Sequence, residues 1–319
     1  MDLPHLTGPQ LDAMRRVLLG PSGDALIDYL FRLRMGFPVR PEDEASRDVA
    51  IELGIVDRSD SGLTQIGWLI TDSIREYAFW LERGRQLPSE GQHPKLSCGH
   101  YAGKRVLEIG CGAGVNLMTL TAAGVPATGV EPVYAYRQMA ALFAEREGLP
   151  PADIVGGQAE ALPFEDDAFD VVVCISSYQY MNVATALTEM RRVLCSNGEL
   201  QIVGGTLDTF LVVGLGRSGM RSVRRLAEYG LTIANTLWFS VTGRRLVGQH
   251  ARATTRYPIY PQRATVLRLL RYAGLKSTGP VARIGCESVF ISEKASPVAS
   301  EAAGSPPADR APRLVEKVS

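Results

Sequence analysis

Over residues 106–116 the chain reads VLEIGCGAGVN. The apolar run 106–109 stops at three alternating glycines, and a segment of helical composition, 115–120, follows. Strand, tight turn and helix in that order constrain the fold more than any other stretch. Glycine turns the backbone sharply and lets a ligand approach with no Cβ in the way. The first N–H groups of the helix then point at whatever sits there. Taken alone, the loop fits either a packed turn or the seat of a nucleotide-like group. Glu108 places an acid at the strand end, where phosphate would be repelled. No Lys-Ser or Lys-Thr pair follows the glycines, which argues against a P-loop. A cationic ligand fits better than a polyphosphate.

The 319 residues allow one large domain and a smaller one. The formal net charge of zero conceals a strong asymmetry. Residues 1–98 carry 11 basic and 15 acidic side chains, residues 99–205 carry 6 and 12, and residues 206–294 carry 14 and 4. Such a basic block can mark an anionic partner. The five cysteines are odd in number and form no Cys-x-x-Cys, so neither a disulfide framework nor a zinc site is indicated. No signal-peptide pattern and no membrane-length apolar run is found, and a cytoplasmic protein with reduced thiols is expected.

Residues 1–98 read as an acidic helical module. Helices are expected over 11–19 and 26–35, and a third over 47–53 capped by Ser46 and stopped by Gly54. IVDRSDSGLT over 55–64 carries a hairpin signature. A further helix is expected to open at Thr71 and to run past Trp80 to Arg83. Helices, a small hairpin and a helix resemble a winged helix. DNA binding is not expected, because the module is net negative and its recognition segment holds Asp48 and Glu52 beside Arg47. Residues 84–103 are rich in glycine and proline and read as an arm crossing the next domain, with His93 and His100 as solvated loop histidines.

From Lys104 strand and helix alternate. Strands are expected over 105–109, 127–131, 153–155, 169–176 and 199–203, with helices over 115–122, 134–147 and 184–194. Alternation means a parallel sheet with helices on both faces, and ligands bind beyond the carboxyl ends of such strands. Four features fall there: the glycine loop, GVEP over 129–132, GQAEALPFEDDAFDVVVC over 157–174 and LTEMRRVLCSNG over 187–198. In order and spacing they resemble the class I S-adenosylmethionine-dependent methyltransferases over residues 103–204.

The resemblance implies a seven-stranded Rossmann-like sheet, S-adenosylmethionine as cofactor and a set of roles. Gly110, Cys111, Gly112 and Gly114, with Asn116 opening the helix, would form the loop against the methionine and ribose. Glu108 would help hold the cationic methionine end. Glu131 would take the ribose hydroxyls, with Pro132 beside the adenine and Ala159 and Glu160 at its edge. Gln158 stands where the family often has Asp. Cys174 and Ile175 would face the methionine side, although Cys174 reads equally well as a small buried apolar residue.

A sulfonium methyl is already electrophilic, so the protein must chiefly place a nucleophile in line and exclude water. No general base stands out. Ser176, Tyr178, Gln179 and Tyr180 follow the fourth strand and are candidates for the acceptor side, Tyr178 and Tyr180 as its orienting groups or simply as packing. Tyr77 and Trp80 are candidates for the acceptor wall, and so is Trp238. Residues 206–261 form a long insertion whose apolar stretches are flanked by Arg217, Arg221, Arg224, Arg225, Arg244 and Arg245. It reads as a lid, with contact to a membrane surface or an anionic carrier as a further use. Family-like sequence resumes at 263–275, and strands are expected over 278–284 and 288–292. Residues 295–319 read as a disordered tail.

These features describe a methyltransferase acting on O, N or C of a small apolar molecule. The N-terminal module walls the acceptor and offers a surface for a homodimer. The competing readings are a non-catalytic winged-helix regulator that senses the cofactor, a methyltransferase of lipid or carrier-bound acceptors, and a nicotinamide dehydrogenase. The 159–164 stretch argues against the last.

Overall fold

The short apolar runs after Lys104 form strands because each is β-branched and bounded by turn residues. The computed structural model describes residues 4–59, 62–216, 223–246 and 258–295. Strands β1 (Val106–Ile109), β2 (Ala127–Val130), β3 (Asp153–Val155), β4 (Phe169–Ile175) and β5 (Leu194–Gly204) pair in parallel. Strand β8 (Glu287–Lys294) runs antiparallel beside β5, in register from Glu199↔Glu293 to Gly204↔Ser288. The order β3-β2-β1-β4-β5-β8 reverses direction between β1 and β4. Their carboxyl ends form the switch point where such sheets bind ligands.

Among the described residues the sheet has eight strands rather than the seven anticipated. The outer edge of β8 is shared by two short strands, β6 (Leu275–Ser277) and β7 (Ala282–Ile284). Gly279 and Pro280 lie between them, and proline has no N–H to continue a ladder. The anticipated single strand over 278–284 is therefore split, and its first part begins earlier, at Leu275.

Helices cover both faces. Leu107, Ile109, Val172, Cys174, Leu200 and Ile202 pack with α8 (Val183–Val193) and α11 (Arg263–Tyr272). On the opposite face Val106, Val171 and Val173 meet Leu87 and Tyr101 of the 84–103 arm and Leu120 of α6 (Val115–Ala122). His100 is not solvated: its ring lies 3.1 Å from Glu199 Oε1, and Lys95 pairs with the same carboxylate. The arm is thus latched by polar groups as well as by apolar burial.

The N-terminal helices are α1 (Gly8–Leu19), α2 (Gly23–Met35), α3 (Glu44–Glu52) and α4 (Gln65–Glu82), with a short α5 (Cys98–Tyr101) in the arm. Helix α3 starts before Ser46, which lies buried inside it. Helix α4 starts well before Thr71, because the Thr64 hydroxyl accepts from Gly67 N at 3.0 Å and caps the helix there. Thr71 sits inside α4, its hydroxyl donating back to Gly67 O at 2.7 Å. The anticipated hairpin is reduced, among the described residues, to one antiparallel bridge, Val56↔Leu63. These helices share a core with Met118 of α6 and with Met139, Leu142 and Phe143 of α7 (Tyr134–Arg146).

The insertion contributes α9 (Leu207–Gly216) and α10 (Val223–Thr242). Arg217 and Arg221 lie outside the described residues, as does the tail from 296 to 319.

Candidate cofactor and acceptor site

The glycine loop is shaped by its backbone. Gly110, Gly112 and Gly114 have φ of 67°, 54° and 69°, values that side chains beyond glycine rarely adopt. A Cβ on Gly110 would stand 2.7 Å from Ser177 Cβ, and one on Gly112 would stand 2.5 Å from Glu76 Oε2. The turn is tied down by Gly110 N donating to Val130 O at 2.8 Å and Gly114 N to Cys111 O at 2.9 Å. Cys111 turns its side chain toward β2, where a Cβ on Gly129 would meet Sγ at 2.5 Å. Its backbone, not its thiol, belongs to the loop's open side.

Three carboxylates surround this loop. Glu131, buried after β2, accepts from Gly112 N at 3.1 Å and Val133 N at 2.8 Å. Glu108 accepts from Asn116 Nδ2 at 2.7 Å. Its other oxygen and Asn116 Oδ1 are buried with no hydrogen-bond partner. Both residues line a hollow with Leu87, Tyr101 and Ile175. The third carboxylate is Glu76, which reaches over from α4 and accepts from Ala113 N at 3.0 Å.

Burial pushes Glu76 up to about 8, with Asp72 and Glu131 adding to the effect against the Ala113 hydrogen bond. Burial likewise pushes Glu108 and Glu131 up to about 7, opposed by their own hydrogen bonds. Desolvated acids held this close favour a cation among them.

Around the adenine side, Pro132 and Gln158 are exposed and Ala159 is buried. One Glu160 oxygen is already engaged by Asn182 N at 2.6 Å. Ile175 reaches the hollow beside Glu108, but Cys174 does not. Cys174 is fully buried in the core with α8, 3.2 Å from Ser177 Oγ, and the desolvated thiol is pushed up to about 12. Alternation along β4 sends neighbouring side chains to opposite faces, so the two cannot both face the methionine.

The acceptor-side candidates separate in the same way. Ser176 sits at φ 50° and donates to Glu287 of β8. Tyr178 is 1% exposed and donates to Gly205 O at 2.6 Å, so its hydroxyl is committed to the backbone and it does not orient an acceptor. Gln179 donates to Ser176 O at 2.9 Å, while its Oε1 is buried and unpartnered. Tyr180 is 45% exposed as a residue. Its hydroxyl end is nevertheless desolvated and lies close enough to Asp72 for the phenol to be pushed up.

Tyr77 and Trp80 are not wall residues. Tyr77 stacks on Phe143 with ring centroids 4.2 Å apart, and Trp80 donates to Thr119 Oγ1 at 2.8 Å. Both belong to the core that bonds the N-terminal helices to α6 and α7. Trp238 is 49% exposed on α10 and is not among the residues lining the hollow beside Glu108. The face of α4 that meets the site carries Asp72 and Glu76 instead. Asp72 accepts from Arg34 at 2.8 Å and from the Tyr136 hydroxyl at 3.1 Å. Their signal in the sequence is two acids four apart on one helix, the spacing that puts both on one face.

Sheet order and a glycine turn at the switch point beside an acidic hollow are the features of a Rossmann-like domain. The residues fit S-adenosylmethionine on one count: the buried Glu108 oxygen that has no hydrogen-bond partner is suited to a cationic end. Residues 107–202 match the family described as methyltransferase domain. A phthiotriol/phenolphthiotriol dimycocerosates methyltransferase of Mycobacterium ulcerans is 42% identical over 102 residues, 31% of this chain and 36% of the relative. The uncharacterised methyltransferase YcgJ of Bacillus subtilis is 33% identical over 100 residues, 31% of this chain and 40% of its own length. The chain thus spans well under half the length of these curated relatives. A SAM-dependent methyltransferase of Methanosarcina mazei superposes with a TM-score of 0.45 at 19% identity, covering 64% of this chain and 98% of that one. The matched stretch is thus similar to methyltransferase domains.

Proposed function

We propose that the protein transfers the sulfonium methyl of S-adenosylmethionine to O, N or C of a small apolar acceptor. The observation that carries this reading is the trio Glu76, Glu108 and Glu131 about the glycine loop, with one buried Glu108 oxygen unpartnered. When bound, the cofactor supplies an electrophilic methyl. Glu131 would hold the ribose hydroxyls, Glu108 and Asn116 the methionine amine, and the glycine loop the space between them. The acceptor would lie between α4, the 176–180 turn and the insertion. Gln179 Oε1 would accept from it, and Tyr180 would close over it. The lid role of the insertion fits the way Arg245 donates to Gln179 O at 2.9 Å and Met181 O at 2.8 Å.

The acceptors named for the relatives do not decide this chain's acceptor, because the shared residues are those of the cofactor side. A winged-helix-like N-terminal module that walls the acceptor, serves as a dimer surface and works in the cytoplasm belongs to the same reading. The Val56↔Leu63 bridge between α3 and α4 supports it. Calorimetry with S-adenosylmethionine, its homocysteine product and NAD tests the reading. Binding of the first two and not the third is expected; failure to bind either of the first two sinks it.

A further inference from the structure

Helix α10 has its polarity reversed. Leu226, Leu231, Leu237, Trp238 and Val241 are 47%, 37%, 46%, 49% and 82% exposed. At about 100° per residue they share an arc of about 140°, and positions 227, 230 and 234 of that arc are alanine or glycine. Toward the protein the helix presents Thr232, Asn235 and Thr236, all buried, with Phe239. That inward side is fixed by specific bonds: Asn235 Oδ1 accepts from Leu246 N at 2.8 Å, Thr236 Oγ1 from Tyr260 N at 3.1 Å, and Arg268 donates to Ser240 O at 2.6 Å. Rotating the helix to bury the apolar arc would orphan these groups, so the outward arc is the determined one.

We infer that this arc beds on an anionic lipid surface. The arc carries no charge, so entering the acyl boundary costs no ion desolvation. An aromatic amphipathic side chain at its edge, Trp238, suits the interface. Residues 217–256 hold eight arginines and one acid, Glu228, and Arg244 is exposed just past the helix end. Against a second copy of the chain the same charge would meet itself and repel, whereas anionic headgroups complement it. Among the described residues no helix is long and apolar enough to cross a membrane, so the contact is one of resting on the surface. Arg245 and Ile259 N both bond Gln179 O, which ties this surface to the acceptor turn. An apolar acceptor could therefore pass from lipid to site. The surface contact itself does not depend on the methyl-transfer reading.

The test is co-sedimentation of the full chain with phosphatidylcholine vesicles and with vesicles containing phosphatidylglycerol. Binding should be about tenfold tighter to the anionic vesicles and should weaken in high salt. The double variant Trp238→Ser, Val241→Ser should lose about tenfold in vesicle affinity with its melting temperature unchanged, because both side chains are exposed. Equal binding by the double variant overturns the inference. So does indifference to lipid charge. A concentration-dependent dimer, abolished by the same substitutions in a protein that ignores vesicles, would assign the arc to a second copy and also overturn it.

Discussion

The glycine-loop region over 107–202 and the two segments that reach it from outside, α4 and the turn after α10, are specified differently. In the first, the backbone makes the site: positive φ at three glycines and strand ends at a topological switch. In the second, single side chains carried in from distant sequence make it, Glu76 from one side and Arg245 from the other. Backbone-made features leave composition patterns that a motif can hold. Side-chain features depend on the rotation of a helix about its axis, which a largely apolar helix does not reveal. Tests that remove one contribution at a time can break or sharpen that contrast.

The largest effect is expected at Tyr77. If α4 is anchored by its buried face and reads the site with the other, Tyr77→Ala opens a hole between Phe143 and Trp80. The cost should be about 3–5 kcal/mol in denaturant unfolding. The fraction that remains folded should bind cofactor with unchanged affinity. A large affinity change with little loss of stability would return Tyr77 to the site and erase the contrast.

Next comes Glu131→Ala, a change on the backbone-made side. It removes the acceptor for Gly112 N and Val133 N and the carboxylate offered to the cofactor. Hydrogen bonds to a charged group contribute about 1.5–3 kcal/mol, so cofactor affinity should fall roughly ten- to hundredfold by calorimetry. An unchanged affinity would show that the loop holds its shape and ligand without this acid.

The sheet, the glycine loop and Glu131 were legible because period-two apolar runs, glycines and a strand-end acid are local patterns. The failures share one physical origin. Thr64 rather than Thr71 opens α4 because capping depends on whether a hydroxyl can reach an N–H three residues on, and both threonines satisfy the composition rule. Cys174 and Ile175 differ only in strand phase. Tyr77 and Trp80 look like a ligand wall until Phe143 and Thr119 are seen to occupy the space beside them. Trp238 looked like a lid residue because an apolar face is ordinarily turned inward, and in α10 it is turned out.

Glu76 tests the side-chain contribution through pH. Its carboxyl is raised from 4.5 to about 8, and Glu108 and Glu131 to about 7. A raised carboxyl keeps its proton in the fold after the unfolded chain has lost it. These groups therefore subtract stability as pH rises from about 5 to 8. His100, lowered chiefly by burial, acts with the opposite sign, since the unfolded chain takes up its proton first as pH falls. The difference between wild type and Glu76→Gln isolates the carboxylate, and thermal melts across that window should show it at up to about 3–4 kcal/mol. A cationic ligand favours the ionised acids, so wild-type cofactor affinity should rise with pH and release protons, and Glu76→Gln should flatten that rise. Parallel melting curves and parallel affinity profiles would remove Glu76 from the site.

The smallest effects separate the two tyrosines. Tyr178→Phe loses a buried hydrogen bond to Gly205 O and should cost about 0.5–1.5 kcal/mol of stability, leaving Gly205 O in need of a partner. Tyr180→Phe, at a half-exposed position, should stay within about 0.5 kcal/mol of wild type. On activity the order should reverse: Tyr180→Phe should change KM or kcat for the acceptor while cofactor affinity is kept, and Tyr178→Phe should change neither once melting is allowed for. The two residues are two apart in one short turn, so sequence gives them equal standing. Only the hydrogen bond that commits the Tyr178 hydroxyl to Gly205 O, and the half-exposed position of Tyr180, distinguish packing from acceptor contact. If both variants alter acceptor kinetics equally, the turn acts as one rigid unit and that distinction fails.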